Sequence, residues 1–370
     1  MLFRMNAKRC WAAIFGSVCS LAIAGCTSSS SPTPTPTRAV GAAQTQASVA
    51  AQYLNGVIAP PGWTVSVWAR GGPGVYYNPD SVEQDGQNIW VTYQNASVKD
   101  GSNNAKMSTI VEYTIDGKVS KMWSVPGHSD GMRVDPATHK VWVTSNEDGG
   151  PLLNIIDPAS PTPLPITLPT MPHGGGLDDL VFVGGATYVA LSNPTLNASG
   201  VNVFPALAKL TVTGSSATLT PVLMGNAPAT DSVAKAPTTL NLTDPDSLTT
   251  DLNGNIVLVS QADSALITIQ HPGASNQTVI KTPVGNQEDD TVFASAPAGR
   301  MLVADAGKNI VFSIAWSGTT GTVLTEAPND SGVVGFVGTI DLSTGFITPV
   351  VVGMGKPTGL IFIPNTAPSA

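Results

Sequence analysis

Five aspartates recur along the chain in one local setting: Asp80, Asp130, Asp178, Asp246 and Asp289 each follow a loop and precede a short apolar run. Carboxylates brought together from separate segments repel one another unless they are spread apart, protonated or neutralised, and an oxygen-liking cation such as Ca²⁺ or another divalent ion is the simplest neutraliser. The alternative duty is local, because an Asp before a strand also caps its own turn by accepting backbone N–H bonds. Recurrence in nearly every copy favours the turn duty, since a catalytic residue should break a repeat. His128 and His173 stand just before two of these runs. Gln94, Asn95, Asn146, Glu147, Asn193, Gln261, Asp263 and Asp305 follow the next strand in their copies.

The aspartates belong to a longer phrase: a loop, the Asp, a small residue, a short apolar strand, a turn, and a second strand ending in a polar residue. Asn78-Pro79-Asp80-Ser81-Val82 leads to Ile89-Trp90-Val91-Thr92, and Ser129-Asp130-Gly131-Met132 leads to Val141-Trp142-Val143-Thr144. Asp178-Asp179-Leu180 leads to Tyr188-Val189-Ala190, and Asp246-Ser247-Leu248 leads to Val257-Leu258-Val259-Ser260. Asp289-Asp290-Thr291-Val292 leads to Met301-Leu302-Val303-Ala304, and a sixth copy opens at Lys356-Pro357-Thr358-Gly359-Leu360 with Thr358 in place of the acid. Intervals of about 43 to 69 residues hold four short strands and their turns, the content of one propeller blade.

The fold expected is all-β, a six-bladed β-propeller over residues 59–370, with five blades as the alternative. Trp63-Thr64-Val65-Ser66-Val67-Trp68 precedes the first copy and could complete the last blade, and residues 305–352 hold more strands than one blade needs. In such a fold the recurring aspartates, the two histidines and the loop residues share one mouth of the central channel. Trp90 and Trp142 occupy equivalent places and are expected to pack between blades.

Asp130-Gly131-Met132, Asp135 and Val141-Trp142-Val143 resemble the Pro-Asp-Gly-Met, Asp, Leu-Trp-Val phrase of the six-bladed group that includes NHL-repeat proteins and the SMP-30/gluconolactonase family, with Ser129 replacing the proline. The resemblance carries fold better than function. It implies, as an alternative to a binding or scaffold role, a metal-dependent lactonase or related hydrolase with Asp130 as a metal ligand and Asp80 where the family has a glutamate. Pro60-Pro61-Gly62-Trp63 resembles the opening of soluble pyrroloquinoline quinone enzymes, and with His173 it suggests a quinone-dependent sugar dehydrogenase; the arginines that would grip such a cofactor are scarce.

The first residues address the chain. Arg4, Lys8 and Arg9 precede an apolar stretch from Trp11 to Ala24 that is too short to span a bilayer. Leu21-Ala22-Ile23-Ala24-Gly25-Cys26 resembles the lipobox of bacterial lipoproteins, which implies a signal peptide over 1–25 and lipidation of Cys26. Residues 26–58, rich in Ser, Thr, Pro and Ala, read as a flexible tether. The other cysteines, Cys10 and Cys19, lie in the leader, so a mature chain has no disulfide and no free thiol. Thr27 after the lipidated cysteine is not the aspartate of inner-membrane retention, which by that resemblance points to the outer membrane of the cell envelope.

The whole chain carries 17 basic and 25 acidic residues, and loss of the leader takes the net charge to about −11. Nucleic acid is thereby disfavoured as a partner. The expected partners are the membrane, through the lipid, and a protein, glycan or small molecule at the channel face.

Overall fold

The computed structural model describes residues 52–72 and 74–365. The signal, Cys26 and most of the tether lie outside the described residues. Six sheets make up the fold, antiparallel except where Pro228–Asp231 joins Thr278–Pro283 in parallel, and their first strands pack side by side in a closed circle, giving a six-bladed β-propeller. Blade one is Pro79–Asp85, Asn88–Tyr93, Met107–Thr114 and Val119–Pro126. Blade two is Ser129–Val134, Val141–Ser145, Leu152–Ile156 and Leu164–Ile166. Blade three is Leu180–Val183, Ala186–Ala190, Pro205–Thr213 and Ser216–Met224.

Blade four, Pro245–Thr250, Ile256–Ser260, Ala265–Gln270 and Thr278–Pro283, gains an outer hairpin, Pro228–Asp231 and Ala236–Thr239. Blade five, Thr291–Phe293, Val323–Ala327, Gly335–Asp341 and Phe346–Met354, is extended outward by Val57–Ala59 and Gln52–Leu54. Those last two strands begin at Gln52, within the segment expected as tether up to residue 58, and Val57 is buried in the core between blades five and six, so the chain joins the fold earlier than its composition suggests.

Blade six is assembled from three distant segments. Its inner strand is Pro357–Pro364, its middle strands are Ala298–Asp305 and Ile310–Ser317, and its outer strand is Thr64–Arg70. The N-terminal strand therefore completes the last blade, with Val65 opposite Ile314 and Val67 opposite Phe312. One pairing differs from the sequence reading. Met301–Ala304 is not the second strand of the copy that begins at Asp289; it lies against Phe362–Gly359 of blade six. Thr291, Val292 and Phe293 pair instead with Thr325, Leu324 and Val323. Ala294 continues that pairing, donating its N–H to the Thr322 carbonyl at 2.9 Å and accepting from the Gly321 N–H at 2.8 Å, and the chain then crosses to the next blade.

Each interface between neighbouring blades holds its own apolar cluster, six in all. This accounts for strands such as Ile256–Ser260, buried at every position: a middle strand is covered on both faces, so the period-two pattern disappears. Trp90 packs on Trp123 in the cluster between blades one and two, and Trp142 meets Phe182 of blade three edge-on at 5.4 Å, as expected of both. Hairpins use residues suited to positive φ, and Gly184-Gly185, both left-handed, form the tight turn of blade three.

Candidate functional site

The inner strands start at one end of the channel, and the acids at their starts converge there. Asp80, Asp130, Asp178, Asp246 and Asp289, from five different blades, line a single cavity of about 260 Å³ with Thr358 of blade six in the sixth place. His128, Gln94, Glu147 and Gln261 also line it, as the repeat predicts. So do Lys99, Asp244, Asp330 and Lys356, which the repeat alone did not single out. A signal for two of these exists in register: Asp244 and Lys356 stand two residues before the ring position, where His128 stands in blade two.

The residue after each ring position faces the next blade. Ser81 donates to the carbonyl of Asp130, and Ser247 donates to that of Asp289 at 2.9 Å. Asp179 accepts the N–H of Leu248, and Asp290 accepts that of Leu360, each at 2.9 Å. In the remaining two blades the residue is glycine because the neighbour comes too close: a Cβ on Gly131 would lie 2.4 Å from Asp179 Cα, and one on Gly359 would lie 2.1 Å from the Asp80 carbonyl oxygen. The Ser, Gly, Asp, Ser, Asp, Gly sequence thus closes the circle of first strands and fixes where the ring acids point.

Charge at the mouth is heavily one-sided. Burial pushes the carboxyls of Asp80, Asp130, Asp178, Asp246 and Asp289 well above the usual carboxylate range, and their acidic neighbours push them further. Asp244 is raised by burial, and then by Glu147, to about 6. Glu147 is the exception: burial pushes it up, but Lys99 at 2.9 Å outweighs that and holds it below its ordinary value. Lys356, 3.4 Å from Asp330, is the second cation. Burial lowers the pKa of His128, whose Nε2 lies 3.5 Å from Asp130 Oδ1.

Other residues expected at the mouth serve the loops around it. Asn95, Asn146 and Asn193 occupy equivalent left-handed positions after the second strands. Asn95 Oδ1 accepts the N–H of Tyr77, and Asn146 Oδ1 accepts that of His128, each at 3.0 Å, so both hold the entry loop of their own blade. Asn193 donates to the Asp148 carbonyl at 3.0 Å. Asp263 accepts from Thr243 and Ser260, and Asp305 accepts from the N–H groups of Gly355 and Lys356. Asn95, Asn146, Asp263 and Asp305 thus use side-chain oxygens on backbone N–H groups, and Asn193 uses its amide on a carbonyl.

His173 is likewise corrected. It is fully buried, away from the cavity lining, with Nε2 2.9 Å from the Gly176 carbonyl. The cause is the glycine run beside it: a Cβ on Gly176 would fall 2.0 Å from the Asn146 carbonyl oxygen, so this segment is pressed between the loops of blades two and three. Pro60-Pro61-Gly62-Trp63 leads into the outermost strand of blade six, so neither signal of a quinone site supplies a residue to the mouth. Asp80 and Asp130 both face the cavity, and among the described residues no three His, Cys, Asp or Glu side chains are grouped to hold a metal ion directly.

Below the ring Arg133 links the first strands of three blades. Arg133, three residues after Asp130, donates through Nη2 to Asp179 at 2.5 Å and to the Leu248 carbonyl at 2.6 Å, and through Nη1 to the Met132 carbonyl at 2.9 Å. Its Nε lies 3.8 Å from Glu83. Burial raises Glu83 to about 7 and Asp179 to about 6, although Arg133 lowers both.

No family model matches this chain, and no curated protein matches it. Solved structures do. A protein of unknown function from Bacteroides caccae is 10% identical, with 77% of this chain and 86% of that one covered at a TM-score of 0.45. A protein from Lactobacillus plantarum is 12% identical over 78% and 89% of the two chains, with a TM-score of 0.43. A Bacteroides uniformis protein proposed to be a 6-phosphogluconolactonase is 11% identical over 76% and 73%, with a TM-score of 0.41.

Proposed function

We propose that this chain is a lipid-anchored binding protein of the bacterial cell envelope whose acidic channel mouth takes a small cation. The observation that carries this reading is the convergence of five aspartates from five blades, four buried and Asp289 half-buried, on one cavity whose described lining offers Lys99 and Lys356 to offset them. Packed carboxyls in that setting either keep protons or gain a counter-ion. The absence of a preformed three-ligand group among the described residues favours a cation that arrives with part of its water shell, or an organic ammonium. The resemblance of Asp130-Gly131-Met132 to the SMP-30 phrase supports the divalent-ion arm, and a bound ion is also what the hydrolase alternative requires.

Calorimetric titration with CaCl₂, MgCl₂ and putrescine at pH 7.5, in buffers of different ionisation enthalpy, tests the reading. At least one of the three is expected to bind and release protons, and Asp130→Asn combined with Asp246→Asn should abolish that. Silence from all three at millimolar concentration contradicts it. Lactone hydrolysis by the ion-loaded protein would move the assignment to the hydrolase. The anchor has its own test: Cys26→Ser should shift the protein from the membrane to the soluble fraction.

A further inference from the structure

The opposite end of the channel is built differently, and the difference is written in the same repeat. Counting three and four residues on from each ring position gives Glu83-Gln84, Arg133-Val134, Val181-Phe182, Thr249-Thr250, Val292-Phe293 and Ile361-Phe362. Blades three, five and six thus end their first strands in an aliphatic residue followed by Phe, while blades one and four end in hydrogen-bonding groups and blade two in a cation followed by Val134. These side chains line two adjoining hollows of about 310 and 390 Å³ that share Glu83, Gln84, Arg133, Thr249 and Thr250. Each hollow falls within the ~300–1,000 Å³ typical of small-molecule sites, and half-buried aromatic walls with a few convergent polar groups are the usual composition of one.

The polar half narrows the ligand class. Arg133 is committed to Asp179 and to two carbonyls, so it is not available to grip an anion. The acids of the hollows already face cationic groups of the protein, Glu83 lying 3.8 Å from Arg133 Nε, Asp290 also within the influence of Arg133, and Asp85 paired with His139 at 2.9 Å, so none is left to favour a cation. The hydroxyls of Thr249 and Thr250 point to no protein partner among the described residues, and Gln84, whose Nε2 donates to the Gly86 carbonyl at 2.9 Å, keeps its Oε1 for a ligand. Hydroxyls, an amide oxygen and the Glu83 carboxyl on one side, with Phe182, Phe293 and Phe362 on the other, match a neutral molecule with a ring of hydroxyls and an apolar face.

We infer that this lower bowl is a second ligand site, separate from the acidic mouth, and that it takes a single neutral sugar ring. Phe293 and Phe362, from neighbouring blades, supply the apolar wall, and Thr249, Thr250, Gln84 and Glu83 receive the hydroxyls. Arg133, which lines this site, pairs with Asp179, which lines the mouth, and Asp290 borders both.

Saturation-transfer difference NMR on the full chain tests this, using methyl β-glucopyranoside, methyl α-mannopyranoside, methyl β-galactopyranoside and N-acetylglucosamine. At least one should show transfer to its ring protons, and Phe362→Ala and the milder Thr250→Val should each cut the signal at least threefold while Asp130→Asn at the mouth leaves it unchanged. A melting temperature within a few degrees of wild type for Thr250→Val separates loss of the site from loss of the fold. No transfer to any of the four sugars, or transfer that survives Thr250→Val and Phe362→Ala or is removed by Asp130→Asn, overturns the inference.

Discussion

Arg133 reaches from blade two to the carboxylate of Asp179 in blade three at 2.5 Å, and Asp179 in turn accepts the N–H of Leu248 in blade four at 2.9 Å. One ion pair thereby ties three first strands together directly beneath the ring of mouth acids. Removing the cation would leave Asp179, Glu83 and Asp290 facing one another with no counter-charge. Arg133→Met is therefore expected to destabilise the fold by about 3–5 kcal/mol, as breaking one side of a buried pair does. Urea unfolding measures it, and Arg133→Met combined with Asp179→Leu should recover part of the loss.

Stability should fall as pH rises from about 4.5 to 8. Glu288 is fully buried, accepting from Thr325 Oγ1 at 2.8 Å, and burial raises its carboxyl from 4.5 to about 7. A group whose folded pKa lies above its unfolded one binds its proton more tightly when folded. Its contribution is thus complete below the unfolded pKa and is lost as pH climbs through the folded value. For Glu288 the loss amounts to roughly 3 kcal/mol, and the raised ring acids add to it in the same direction. Glu147 works oppositely, and only at pH below its unfolded value. Thermal melts from pH 4.5 to 8 should show the decline, and Glu288→Gln should flatten it.

The glycines of the inner circle are tested by one added methyl. Gly359→Ala forces a Cβ to within 2.1 Å of the Asp80 carbonyl oxygen, across the seam where the last blade meets the first. The neighbouring backbone must move, at an expected cost of about 1–3 kcal/mol. Gly285→Ala, which would meet nothing within 4 Å, should stay within about 0.5 kcal/mol of wild type. Equal effects at the two positions would show that the seam yields freely.

Closure by the N-terminal strand makes a sharper demand. Thr64–Arg70 covers Phe312 and Ile314, which are fully buried in or beside the core between blades five and six. Truncation through residue 70 should expose an edge and that apolar surface together. Soluble monomer should then be lost, whereas Val65→Ala in the intact chain should only lower the midpoint of a single cooperative transition.

Much of this was legible in the sequence because the repeated phrase is local. Asp80, Asp130, Asp178, Asp246 and Asp289 each sit at the same step of a first strand, so knowing the fold was enough to bring them together. The N-terminal closure was legible because Trp63 to Trp68 forms a strand with no copy of its own. The exchange at Ala294 was not, since Met301-Leu302-Val303-Ala304 has the same pattern whether it pairs with Val292 or with Leu360, and the choice between them is a long-range one. Asn146 and His173 show a second limit. A polar residue in a mouth loop has either a ligand or a backbone group to satisfy, and its sequence position alone does not distinguish the two. Lys99 was hidden for the opposite reason: it lies in a long loop outside the repeat and reaches the cavity through its pairing with Glu147.

The most direct test of the account is a crystal structure of the lipid-free protein grown at neutral pH in calcium and, separately, in putrescine. The account predicts density for one of these cations within the cavity bounded by Asp80, Asp130, Asp178, Asp246 and Asp289, with carboxylate oxygens turned toward it directly or through one water. Water alone in that cavity under both conditions, or ring acids dispersed into separate surface bends, would contradict it.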